Sequence, residues 1–395
     1  MMNGSRVLEG YMPEFDATVV TRILDAGGRV LGKTAVEDLC FDARSDTNSK
    51  MPILNPYDGT LSAGGSSSGS AALVAGGQID MALGGDQGGS IRIPAAWCGI
   101  VGLKPTWGLV PYTGASSVQP FLDHLGPMTR TVEDCALLLE VIAGYDDGLD
   151  PRQPPNIVVP EYSKLLTADL TGMKVGLVKE GFDKCDNHIV STVRSAKQYF
   201  EAAGATVEET SIPMHITGRK IGVAILFEGC SENALNAGGT AFGFPGFYPT
   251  SMQQATARGI RTHFNDVSHP VKIMALLGEY TKQRYNHIHY AKAMNCSRLL
   301  RKAYDDALAN YDVIVMPTMR TLQSELPKKG ASIQENLNKS VLHNASQFNL
   351  THHPALSINA GFAGGLPVGL MIVGKHFDEV TVLKAAYGFE KKRDE

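Results

Sequence analysis

The sequence predicts an α/β fold: one domain built on a mixed, mostly parallel central sheet with helices on both faces (α/β/α). Three observations carry this. Short apolar runs alternate along the chain with segments of helical character, the pattern of a sheet covered on both sides. Hydrophobic residues make up 43% and charged residues 19% of the 395, enough apolar volume for a large core. No internal repeat occurs and no polar stretch is long enough to act as a linker, so 1–395 reads as a single domain.

In chain order, Asp16 is positioned to cap a helix with Val19, Val20, Ile23 and Leu24 on one side. Gly27 and Gly28 stop it, and 29–32 reads as a short strand. Residues 42–62 are polar and turn-rich. From Gly64 to Pro111 glycine and serine dominate, but the apolar blocks 71–74, 81–83 and 100–103 between them argue for a packed region of tight turns rather than a flexible linker. Thr131 and Asp134 form a capping-box pattern before the apolar run 136–142. Residues 144–155 read as a loop, 174–178 as a strand and 188–203 as a helix. The stretch 213–300 is mostly helical. Strands are expected at 313–316, 355–360 and 367–373, and a final helix at 380–392.

Composition excludes several classes. The formal net charge of −4 gives no electrostatic reason for nucleic acid or an anionic membrane as partner. No run of 18 apolar residues is present, and 1–20 lacks the charged-then-apolar pattern of a signal peptide. The six cysteines, Cys40, Cys98, Cys135, Cys185, Cys230 and Cys296, include no C-x-x-C pair. They read as reduced thiols of a cytoplasmic protein rather than a disulfide frame or zinc site.

Chemistry concentrates in two clusters, Gly64-Gly65-Ser66-Ser67-Ser68-Gly69-Ser70 and Gly84-Gly85-Asp86-Gln87-Gly88-Gly89-Ser90-Ile91-Arg92. A hydroxyl nucleophile needs exposure on a tight turn, a proton acceptor, and donors aimed at the developing oxyanion. The glycines before Ser90 allow the N–H groups of Gln87, Gly88, Gly89 and Ser90 to converge as such donors. Ser66 can supply a relaying hydroxyl. Asp86 and Arg92 read as buried supports of the loop, and Trp97 and Cys98 as core. Neither GxxxxGK[ST] nor a strand-borne GxGxxG is present, which removes a phosphate cradle.

The run from Gly64 to Thr106, GGSSSGSAALVAGGQIDMALGGDQGGSIRIPAAWCGIVGLKPT, resembles the amidase signature. GATVEET, DVIVMPT, SELP and the segment 353–390 extend the resemblance over nearly the whole chain. The details GGDQGGS, LVPYTGA and DHLGPMTRTV are most similar to the broad-specificity amidases found alongside nitrile-converting enzymes, which hydrolyse small and aromatic primary amides. The resemblance implies the amidase-signature fold, with a signature core at 64–113 and a variable, mostly helical substrate-pocket region at about 213–300. It implies hydrolysis of a carboxylic amide to carboxylate and ammonia by a triad of serine, a second serine on a cis peptide, and lysine. Carried over by motif position, Ser90 is the acyl-forming nucleophile and Ser66 the bridging serine. No cofactor or metal is implied. The expected partner is a small-molecule amide, and the family resemblance adds a possible homodimer.

The pattern breaks at the lysine. The family places it in a short G-x-x-x-x-K-D segment upstream of the bridging serine, and residues 1–20 match the stretch just downstream of that segment. The expectation is an N-terminally truncated member without the lysine, its activity impaired. Lys33, in VLGKT, matches a different and structural family lysine and is the candidate stand-in; Lys50 and Lys104 rank behind it. Ser68 stands where the family usually has glycine, a strained choice if that position needs positive φ.

Other readings remain open. One is a non-catalytic amidase-like remnant, and another is the amidase subunit of a tRNA-dependent amidotransferase. Gly65-Ser66-Ser67-Ser68-Gly69 formally matches the G-x-S-x-G of α/β-hydrolases, with Ser67 as nucleophile, but 56–63 is not the strand that motif needs. The pairs His287/His289 and His352/His353 lack the spacing and glutamate of H-E-x-x-H and read as solvated or core histidines. His124 is a candidate pocket residue.

Overall fold

The computed structural model describes all residues except 241, 242, 244, 329–331 and 333–343. Its frame is one eight-stranded sheet: β1 (Met81–Asp86), β2 (Val101–Lys104), β3 (His124–Thr129), β4 (Lys174–Val178), β5 (Thr206–Thr210), β6 (Val313–Pro317), β7 (Ala355–Ala363) and β8 (Leu366–Val373). The spatial order is β1-β3-β2-β7-β8-β6-β4-β5. The sheet is mixed, as expected, but not mostly parallel. Five neighbouring pairs are antiparallel, and only β4 with β5 and β4 with β6 run parallel.

Alternation along the central strands separates two cores. Val313, Val315, Leu356, Ile358, Leu370 and Ile372 face one apolar core; Ile314, Met316, Ala355, Met371 and Val373 face the other. Period-two side chains of a sheet buried on both faces give this split directly. The first face is covered by α1 (Thr18–Asp25), α4 (Val132–Ile142), α5 (Asn187–Ser195), α6 (Lys197–Ala202) and α12 (Glu379–Asp394). The second is covered by α7 (Met214–Cys230), α8 (Thr250–His263), α9 (His269–Tyr285) and α10 (Ile288–Leu308), with the short α11 (Gln347–Thr351) beneath them. A smaller core under β1 and β3 holds α2 (Ser68–Ala75) and α3 (Arg92–Cys98) through Ala71, Val74, Ile91, Ala95 and Met128.

Thr131 caps α4 as its sequence predicts, its Oγ1 accepting the Asp134 N–H at 3.1 Å. Three expectations fail. Ala17, not Asp16, sits at the N-cap of α1, and no side chain caps it. Residues 29–32 form no strand; they are exposed and irregular, with no neighbouring strand among the described residues to pair their backbone. The helix expected over 188–203 is two helices meeting at Ala196. No helix among the described residues is long and apolar enough to cross a membrane. All six cysteines are free thiols.

Candidate active site

The two glycine-rich clusters converge where β1 gives way to α3. Ser90 lies in the turn between them, is 7% exposed, and opens onto a cavity also lined by Cys40, Phe41, Val118, Leu226 and Phe227. Gly89 has φ +126°, and a Cβ there would stand 2.6 Å from the Ala345 Cβ, so both conformation and space require glycine. Pro94 is tolerated in α3 because it falls in the first turn, where no intrahelical N–H bond is lost. Gly99, at φ +71°, ends the helix in the left-handed conformation.

Asp86 and Arg92 hold this turn. Both are fully buried and paired at 3.1 Å. Asp86 also accepts the N–H groups of Gly89 at 2.7 Å and Ile91 at 3.1 Å, and the Asn349 amide at 2.8 Å. Burial alone would raise its pKa; the Arg92 guanidinium and the Asn349 amide outweigh that and hold the carboxyl below its ordinary value. Arg92 donates onward to the Ala345 carbonyl at 2.8 Å and the Asn349 Oδ1 at 2.7 Å. Both residues therefore shape the loop without facing the cavity. Asn349, 263 residues from Asp86, gave no local signal in the sequence.

Of the four N–H groups expected to converge as oxyanion donors, that of Gly89 is already given to Asp86. Those of Gln87, Gly88 and Ser90 have no acceptor among the described residues. The Gln87 side chain turns away, its Nε2 donating to the Tyr112 hydroxyl at 3.0 Å.

The peptide bond between Gly65 and Ser66 is cis. Beside it, the Ser67 N–H donates to the Ser90 carbonyl at 3.2 Å, which ties the two clusters together. No hydrogen bond joins the Ser66 and Ser90 hydroxyls among the described residues; the Cys40 thiol lies near Ser66 and donates to the Asn3 Oδ1 at 3.0 Å. Enclosure of its sulfur pushes Cys40 up to about 12, the nearby Ser66 hydroxyl offsetting only part of this, so it stays a thiol at neutral pH. Ser67 is structural: its Oγ accepts the Gly85 N–H at 3.1 Å and donates to the Gly85 carbonyl at 3.2 Å, and it opens a helix with no preceding strand. Ser68 begins α2 without positive φ, which removes the anticipated strain, and donates to the Glu37 Oε1 at 2.9 Å.

Glu37 is the group that sequence reading missed. It is fully buried, accepts the Thr47 N–H at 2.9 Å, and gives its own N–H to the Ser66 carbonyl at 3.2 Å. Burial, with the nearby Asp42 charge, raises its pKa to about 7. An acidic pair inside the run AVEDLCF was the only sequence trace of it.

None of the lysines considered reaches the cavity. Lys33 is exposed on irregular chain rather than on a strand edge. Lys50 pairs with Glu9 at 2.7 Å on the surface. Lys104 is buried, its Nζ donating to the Pro105 carbonyl at 2.9 Å, and burial holds its pKa well below the ordinary value. His124 is buried beside Asn349, outside the cavity lining, with Nδ1 2.7 Å from the Leu122 carbonyl. His352 stacks on Trp107 at 4.6 Å. His287 bonds Glu228 at 2.7 Å on a half-exposed surface, and His289 packs edge-on to Tyr285.

The far wall comes from the region expected to shape the pocket. Arg219, Val223, Leu226 and Phe227 share one face of α7, and His269, Pro270 and Ile273 start α9. Arg219 is the lining cation without an ionic partner among the described residues; Arg44 is paired with Asp42 at 2.8 Å.

The family model described as Amidase matches residues 1–383. An enantioselective amidase of Rhodococcus rhodochrous is 44% identical over 393 residues, spanning 98% of this chain and 75% of its own length. A glutamyl-tRNA(Gln) amidotransferase subunit of Methanosarcina acetivorans is 38% identical over 401 residues, spanning 99% and 81% respectively. The crystal structure of the corresponding glutamyl-tRNA(Gln) amidotransferase subunit from Thermotoga maritima superposes with a TM-score of 0.81 at 30% identity, covering 99% of this chain and 79% of that one.

Proposed function

The chain belongs to the amidase family, whose members are hydrolases of amide bonds, and on that premise we propose that it cleaves a primary carboxylic amide through an acyl-Ser90 intermediate. The observation that carries this is the placement of Ser90: a hydroxyl facing a mainly apolar cavity, on a glycine turn whose Gln87, Gly88 and Ser90 N–H groups have no acceptor among the described residues. The Ser90 Oγ attacks the amide carbonyl. As it attacks, its proton moves to the Ser66 oxygen while the Ser66 proton passes to the amide nitrogen, and the N–H groups of Gln87, Gly88 and Ser90 receive the oxyanion. Gly89 serves by its conformation, not by its N–H. Protonated nitrogen leaves as ammonia, and water then releases the carboxylate and restores the Ser90 hydroxyl.

The cavity suggests the acyl group. Its volume is about 120 Å³, close to the roughly 150 Å³ that accommodates benzene in an apolar protein cavity. Its walls are Phe41, Val118, Val223, Leu226, Phe227 and Ile273. A small aromatic or branched aliphatic amide fits this lining. Turnover is expected to be slow, because no lysine among the described residues lines the cavity to take the proton from Ser66.

The test is ammonia release from a panel of primary amides by the purified chain and by Ser90→Ala. Slow release that favours aromatic amides and is absent from Ser90→Ala supports the proposal. No release by folded wild-type chain would remove hydrolysis and leave a non-catalytic member of the family. The amidotransferase relatives motivate one further arm: glutamine hydrolysis that appears only with partner subunits would replace the small-amide reading.

A further inference from the structure

A second cluster lies away from the Ser90 cavity. The antiparallel pairing of β7 with β8 sets Ala355 opposite Val373, and the Gly374 N–H continues it to the Pro354 carbonyl at 3.1 Å. That register brings His353, before β7, alongside His376, after β8. Their rings lie 4.0 Å apart at 39°. Asp305, on α10, completes the group: its Oδ1 is 3.0 Å from His353 Nε2 and 3.7 Å from His376 Nδ1. The three ligand-type atoms all lie within 4.8 Å of one another.

We propose that Asp305, His353 and His376 form a binding site for a divalent transition-metal ion, with Zn2+ the best match to the ligand set. Two imidazoles and one carboxylate suit Zn2+, Co2+ or Ni2+ rather than Mg2+ or Ca2+, which take oxygen ligands. Metal–ligand bonds of about 2.0–2.2 Å in a tetrahedron separate ligand atoms by roughly 3.3 Å, so the spacing here needs side-chain shifts of only a few tenths of an ångström at the two measured contacts.

The hydrogen bonds behind the rings also fit. His376 Nε2 is 2.8 Å from the Thr351 carbonyl. A carbonyl can only accept, so the ring proton sits on Nε2 and Nδ1 presents its lone pair to the cluster. His353 Nδ1 is 3.0 Å from the Thr351 hydroxyl, which can accept its proton and free Nε2 for a metal. One residue thus orients both rings from behind, the arrangement usual for histidine ligands. Asp305 is half-exposed, which gives an ion access and leaves the fourth position to water. Lys104 and, one turn earlier on α10, Arg301 are the cations that oppose binding. None of the three lines the Ser90 cavity. The metal would tie α10 to the chain segments flanking β7 and β8, so its role is structural.

The site differs from the metal-free reading of the sequence because its members are 48 and 23 residues apart and only the β7–β8 register and α10 bring them together.

The experiment is titration of the full metal-free chain with Zn2+ against a chromophoric chelator, repeated on His376→Ala and Asp305→Asn. One Zn2+ per chain with micromolar or tighter affinity, weakened at least about tenfold in both variants, is expected. The circular dichroism of Asp305→Asn, whose side chain is half-exposed, guards against misfolding as the cause. Wild-type chain that binds no Zn2+ at about 100 µM, or variants that bind as tightly as wild type, would overturn the site.

Discussion

Asp86 and Arg92 are each fully buried, so the turn before Ser90 rests on one charged pair with no solvent to replace a lost partner. Removing one member leaves the other charge enclosed and uncompensated, at a cost of about 3–5 kcal/mol. Asp86→Asn is therefore expected to lower stability by that amount in urea unfolding and to abolish covalent labelling of Ser90, since the Gly89 and Ile91 N–H groups bond to different carboxylate oxygens and one of them would face an NH2 donor instead. A loss under about 1 kcal/mol would show that the pair is not what fixes the turn. Glu37 acts in a different direction. Its folded pKa of about 7 lies above the ordinary 4.5, so the folded chain holds this proton more tightly than the unfolded chain. The stability that this provides is fully present below about pH 4.5 and is lost as pH rises through 7. The magnitude is on the order of 3 kcal/mol. Glu37→Gln should flatten the stability profile between about pH 5 and 7.5 relative to wild type; equal slopes in the two proteins would contradict the assignment.

At the scale of elements, α7 sets what enters the cavity. Arg219, Val223 and Leu226 recur at helical spacing on its cavity face, and Val223 remains accessible. Replacing a small side chain by a ring there takes volume from the acyl group. Val223→Phe should lower kcat/KM for benzamide relative to acetamide by about tenfold, the discrimination expected from a few methylene volumes. An unchanged ratio would place the acyl group elsewhere. The elements most legible in the sequence were those with strong local chemistry: the Thr131 cap, the apolar strand β4, and the glycine turn before Ser90. The failures have physical causes. Alternating helices and strands suggested parallel pairing, but Gly364 and Gly365, both at positive φ, make a two-residue hairpin between β7 and β8 that forces antiparallel pairing. That glycine pair was the available signal. Strand β3 contains glycine and proline, and β5 is polar and exposed at the sheet edge, so neither shows the apolar run by which strands are recognised.

Across the whole molecule, the sheet divides two apolar cores, and the Ser90 site lies against the smaller core that packs α2 and α3 on β1. This explains why the signature segment was readable in isolation: its two clusters are neighbours in both sequence and space. Asn349 was not, because it arrives through tertiary packing from a distant part of the chain, and the α7 wall was anticipated only as a region, 213–300, not by its individual residues. The most direct test of the central claim is covalent labelling of the intact chain with a fluorophosphonate, followed by peptide mass spectrometry of wild type and Ser90→Ala. The account predicts one adduct, on the peptide containing Ser90, and none in the mutant. An adduct on Ser67 or another serine, or unchanged labelling of Ser90→Ala, would contradict it.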